Sequence, residues 1–148
     1  MKHIIFNNTT IRKNNYSPDI DQMAIIEMLY NEQNNEEFEK EIKKKLQSYK
    51  SQDKQKHKFD NDQMITYKEI IKKLYDCKLK CYYCTCDMVI LYNKKREPTQ
   101  WTLERLDNNI GHYETNTCIS CLKCNLQRRT DNYEYFKNGK QLKINIIK

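Results

Sequence analysis

The residues able to do chemistry gather around two cysteine pairs. Cys81-x-x-Cys84 and Cys121-x-x-Cys124 are separated by residues 85–120. A two-residue spacer lets each pair wrap one edge of an ion, and four thiolates complete a tetrahedral zinc site. Cys86 and Cys118 lie close enough to these pairs to leave the choice of ligands open. The plain reading of Cys77, Cys86 and Cys118 is small buried side chains. Zinc saturated by four thiolates has no position left for water. Any catalysis must therefore come from a second metal or from side chains between the knuckles. The stretch WTLERLDNNIGHYETNTCISCLKCNLQRR, residues 101–129, supplies acid, histidine and asparagine groups at short spacing.

The flanking pattern predicts the elements that hold these groups. Ser17 reads as an N-cap with Pro18 at the first helical position, opening a helix in SPDIDQMAIIEMLY. A second helix is expected from about Asn35 to Tyr49, with Phe38, Ile42, Leu46 and Tyr49 on one stripe facing a core. The polar SQDKQKHKFDND has no periodicity and reads as a linker, with His57 simply solvated. Thr66-x-x-Glu69 is a capping box for a third helix carrying Tyr67, Ile70, Ile71 and Leu74 and running directly into Cys81. DMVILY and WTLERL read as strands and TCIS as a short strand. DNNIGHYETN reads as a loop and CLKCNLQRRTDNYEYF as a helix. The expected division is a helical N-terminal region with its linker, 1–62, and a zinc-bound domain, 63–148.

Bulk composition agrees with a small stapled fold. The chain has 148 residues, of which 38% are hydrophobic and 32% charged. A core that small needs a metal or disulfides. MKHIIFNNTT, with three apolar residues in a row, is not expected to act as a secretory leader, and no apolar run reaches membrane-spanning length. An intracellular location is expected, where seven cysteines point to metal rather than disulfides. The net charge of +7, slightly denser in the cysteine-bearing half, suits a polyanionic partner such as nucleic acid. A lysine-rich solvated surface explains the charge equally well.

The order of motifs over about residues 77–132 resembles the HNH (His-Me finger, ββα-metal) endonucleases. The similarity lies in the first Cys pair, Glu104-Arg105-Leu106-Asp107, a glycine-containing loop, Asn116 and Cys121-x-x-Cys124-Asn125. Modules of this subgroup occur in phages, large DNA viruses and mobile elements. The resemblance implies an α+β fold, a small zinc-stapled, treble-clef-like ββα module behind a helical N-terminal region. It implies structural Zn²⁺ on the four cysteines and a catalytic Mg²⁺ or Mn²⁺ held by Glu104 and Asn125, hard oxygen ligands that suit such ions. It also implies cleavage of DNA, most simply double-stranded, inside a host cell. Asn116 matches the residue that orients the family's base histidine, and its plain reading is loop closure.

In one place the sequence departs from the family. The base histidine usually follows the acid, and here that position is Arg105, which cannot accept a proton and is expected to contact the phosphate instead. His112 is the histidine within the matched stretch, and is read as the general base or as a loop residue. Asp107 is a further carboxylate or a turn former. Lys94, Lys95, Arg96, Lys123, Arg128 and Arg129 are expected to grip phosphates. The alternatives are an inactive zinc-dependent nucleic-acid-binding module and a structural zinc domain that docks partners. Residues 1–65 carry no recognised motif.

Overall fold

The computed structural model describes residues 16–17 and 19–147, with side chains described to residue 142. Five helices and a two-stranded antiparallel sheet make up the described fold. They run α1 (Gln22–Tyr30), α2 (Glu36–Gln55), α3 (Tyr67–Asp76), β1 (Trp101–Arg105), β2 (Thr117–Cys121), α4 (Leu122–Arg128) and α5 (Tyr133–Ile147), with a single 3₁₀ turn at Glu114–Asn116.

Local signals account for most helix starts. Thr66 and Glu69 form the expected reciprocal capping box on α3. Asn35 caps α2 by accepting from Phe38 N, and three acids in its first turn favour the dipole. At α1 the cap is Asp21, which accepts from Ala24 N. Ser17 accepts instead from Asp19 N, while Pro18, the expected first helical residue, lies outside the described residues.

The largest difference from expectation is α2, which continues through Gln55 into the segment read as a linker. Its apolar row, Phe38, Ile42 and Leu46, is buried as expected. A second row four residues apart does polar work. Lys45 donates to Trp101 O and Gln100 Oε1, the Tyr49 hydroxyl accepts from Leu103 N, and Asp53 reaches His112. This row covers the edge of β1 that β2 does not pair. Exposed, that edge would be a liability.

DMVILY is not a strand. It makes isolated bridges, including Val89 with Gln100. The Ile90 and Leu91 amides donate to the Gln22 side chain of α1 rather than to a neighbouring strand. The helix expected after Cys121 is broken at Arg129, whose φ is 52°, so α4 and α5 are separate. Similarly α3 ends before Cys81, where Lys78 and Leu79 take φ of 53° and 55°. One cluster of buried residues runs from Ile26 to Phe136, crossing the expected boundary at residue 62.

Candidate metal centre and adjoining polar cluster

The two knuckles meet where β2 passes into α4. Tyr82 N donates to Ile119 O, tying the first knuckle to β2. Leu122 N and Lys123 N donate to Gln100 O and Pro98 O, tying the second to the start of β1. The Sγ atoms of Cys81, Cys84, Cys121 and Cys124 all lie within 4.8 Å of one another. Zn–S bonds near 2.3 Å give a tetrahedron with edges of about 3.8 Å. The Cys84 to Cys121 separation is 3.8 Å, so the cluster is sized for an ion such as zinc.

Backbone amides prepare the sulfurs for that charge. Tyr83 N, Cys84 N and Cys121 N donate to Cys81 Sγ, and Cys124 N donates to Cys121 Sγ. Such bonds stabilise thiolate around a metal. The protons of these neighbouring thiols divide unevenly. Hydrogen bonding from Cys121 pulls the Cys81 thiol below its ordinary value, while hydrogen bonding with Cys121 pushes the Cys124 thiol above it. Cys86 and Cys118 fall outside the four-sulfur cluster.

The second site lies immediately beyond the last knuckle. Antiparallel pairing of β1 with β2 places Glu104 opposite Cys118 and Thr102 opposite Ser120. Thr102 and Glu104 share one strand face, and α4 closes over it. Asn125 Nδ2 donates to Thr102 Oγ1 at 3.1 Å, and Arg128, one turn on, approaches Glu104 Oε1 at 3.2 Å. Glu104 and Asn125, far apart in sequence, therefore stand on facing surfaces of strand and helix. Glu104 is 4% exposed. Its Oε2 and the Tyr83 hydroxyl, both buried, lack a well-aligned hydrogen bond, yet they stand close enough for Tyr83 to act on the carboxyl as a hydrogen-bond partner. Burial raises the Glu104 carboxyl to about 7, against the opposing pull of Arg128.

Arg128 is not the surface cation expected from sequence. It is 2% exposed, and besides Glu104 it donates to Arg105 O, Leu106 O and Asp131 O. It fastens α4 to the end of β1. Lys94, Lys95, Arg96, Lys123 and Arg129 are exposed, free of this burial. A shallow groove lined in part by Leu106, Asp107, Asn108, Arg128 and Tyr133 opens at the same end of β1.

Loop 106–116 is held from three sides. Asn116 accepts from Asp107 N and donates to Asp107 O and Gly111 O, while Arg105 donates to Asn108 O and Ile110 O. Asn116 thus closes the loop. The orienting contact expected between Asn116 and the His112 ring is made instead by Asp53 of α2. His112 Nδ1 lies 2.7 Å from Asp53 Oδ1, and His112 N donates to Asp53 Oδ2 at 2.7 Å.

His112 is 3% exposed and Asp53 1%, and the Tyr49 ring tilts against the imidazole with centroids 4.6 Å apart. Burial holds the His112 pKa below its ordinary value, keeping the ring neutral near pH 7. Gly111 is needed for this approach, because a Cβ there would sit 2.6 Å from Lys58 O and 2.8 Å from Asp53 Oδ2. Asp107 caps a local turn by accepting from Asn109 N.

Compared with protein-family models, curated proteins and solved structures, the chain matches none. No helix among the described residues is long and apolar enough to cross a membrane.

Proposed function

We propose that this protein is an HNH-type, metal-dependent endonuclease that hydrolyses DNA phosphodiester bonds. The observation that carries the reading is the β1–α4 interface just past the zinc ligand Cys124, where Asn125 meets Thr102 and Arg128 meets the buried Glu104 two residues along the same strand face. The Tyr83 hydroxyl, buried beside this carboxyl, acts on it as a hydrogen-bond partner, so a cation would take Oε2 in competition with Tyr83.

The donor set fits a hard divalent cation. Asn125 spends its Nδ2 on Thr102, which leaves its Oδ1 as an acceptor, and Glu104 offers Oε2 while Arg128 engages Oε1. Magnesium is commonly held by one or two protein oxygens completed by substrate phosphate. Arg128 offsets much of the carboxylate charge, so Glu104 and Asn125 by themselves bind a cation weakly. A bound divalent ion supplies Lewis-acid stabilisation of charge on the phosphoryl and leaving oxygens. His112, neutral and fixed in place, takes the proton of the attacking water. Arg105 and the exposed Lys94, Lys95, Arg96, Lys123 and Arg129 hold the DNA backbone.

A second reading, a zinc-dependent nucleic-acid-binding module without activity, is favoured by Arg105 and by the buried Glu104–Arg128 pair. Incubation of zinc-loaded protein with supercoiled plasmid separates the two. Nicked or linear product with Mg²⁺ or Mn²⁺, and none without, supports the nuclease. Retarded but intact plasmid under every condition supports the binding module.

A further inference from the structure

The proposed function leaves one buried ionisable contact unexplained, the one between Asp53 of α2 and the site loop. We propose that Asp53 is a positioning residue that fixes His112 in its Nδ1–H tautomer and so leaves Nε2 as the nitrogen that takes a proton. The assignment rests on the reading of His112 as the proton acceptor, and it extends the site into a segment that carries no recognisable motif.

Donor and acceptor roles fix the tautomer. The His112 backbone N–H has only one role, donation, and it points to Asp53 Oδ2 at 2.7 Å. The same carboxylate presents Oδ1 to ring Nδ1 at 2.7 Å. An ionised carboxylate only accepts, so Nδ1 must carry the proton. A neutral imidazole has one protonated nitrogen, and Nε2 is then the acceptor. Among the described residues Nε2 makes no hydrogen bond.

The other groups facing the ring do not compete for Nδ1. Tyr49 of α2 stacks on it and spends its hydroxyl on Leu103 N. Arg105 of β1 and Lys56, just past α2, act on it only as positive charges. Gly111 lets the loop come close enough for both bonds. A loop clamp alone would be satisfied by the backbone contact. The second oxygen, spent on the ring, fixes which nitrogen is free.

Asp53→Asn is the discriminating change. The His112 N–H still needs an acceptor, so the amide oxygen turns to it and the NH₂ faces ring Nδ1. Nδ1 must then accept, and the proton moves to Nε2. The test uses the full-length, zinc-loaded protein with ¹⁵N-labelled histidine and long-range ¹H–¹⁵N correlation spectra. The His112 signals are assigned by their loss in His112→Gln.

The expected result is an Nδ1–H ring in the wild type and an Nε2–H ring in Asp53→Asn, with plasmid cleavage slowed by at least about 10²-fold and DNA affinity unchanged. A wild-type spectrum showing Nε2–H overturns the proposal, and that spectrum decides even if Asp53→Asn does not fold. A tautomer that switches while cleavage stays at the wild-type rate upholds the role of Asp53 in fixing the ring. It overturns His112 as the proton acceptor. The two failures are thus told apart.

Discussion

Arg128 lies 3.2 Å from Glu104 with both side chains more than nine-tenths buried. The same guanidinium donates to three backbone carbonyls. Its charge therefore serves the inside of the protein, balancing a carboxylate and pinning α4 to β1. Removing one member of such a pair leaves the other buried and alone, which is costly.

Arg128→Met is accordingly expected to lower folding stability by about 3–5 kcal/mol, read as a shift of the urea midpoint. Retention of wild-type stability would show that Glu104 does not need its partner.

The exposed cations behave in the opposite way. Replacing Lys94, Lys95 and Arg96 together with alanine is expected to leave the urea midpoint unchanged and to weaken DNA binding. The dependence of log affinity on log salt should become shallower by about 0.9 for each phosphate no longer neutralised. An unchanged slope would place the DNA on another face.

Legibility in the sequence follows from how each signal is encoded. The cysteine spacing and the Thr66–Glu69 capping box are local patterns, and each appears at its expected place. WTLERL forms a strand over Trp101–Arg105, but Thr102 and Glu104 are buried like Trp101 and Leu103, so its two faces do not alternate in burial. Asp53 has no such signal. It sits in a polar, aperiodic run, and its partner is 59 positions away, so only tertiary packing gives it meaning. Arg128 differs from expectation for a related reason, since the sequence shows a cation near the knuckle but not the carbonyls that enclose it. DMVILY has strand composition, yet two of its amides, Ile90 N and Leu91 N, are taken by Gln22 from α1. Composition does not specify which partner a backbone finds.

Zinc removal tests the staple. Trp101 is fully buried beside the knuckles and pairs with Cys121 across the sheet. Stripping the ion with a strong chelator should red-shift tryptophan emission, as β1 loses its anchor. Part of the far-ultraviolet helical signal of α1 and α2 should persist. One zinc per chain is expected by metal analysis, and none in Cys124→Ser. Protein purified without chelators that carries no metal would show that the four cysteines hold the fold without an ion.

The buried histidine gives stability a definite pH dependence. Burial lowers the folded-state pKa of His112 below the ordinary 6.5, so the unfolded chain takes up a proton first as pH falls. The contribution is fully present above 6.5 and is lost as pH drops from there through the folded value. Glu104, whose carboxyl is raised to about 7, acts in the opposite sense over the same window. The check is therefore the difference in urea midpoint between wild type and His112→Gln, which should shrink as pH falls below about 6.5. An identical slope in the variant would assign the acid sensitivity to other groups.

Everything proposed for the site turns on Glu104 and Asn125 acting together on a scissile phosphate. Single-turnover cleavage of a labelled DNA duplex in Mg²⁺ decides it, run with wild type, Glu104→Gln and Asn125→Ala, each with its zinc content and DNA affinity verified. The wild type should cut and neither variant should, with zinc and affinity unchanged. Wild-type rates in either variant, or a wild type that binds the duplex and never cuts it, would contradict the joint role.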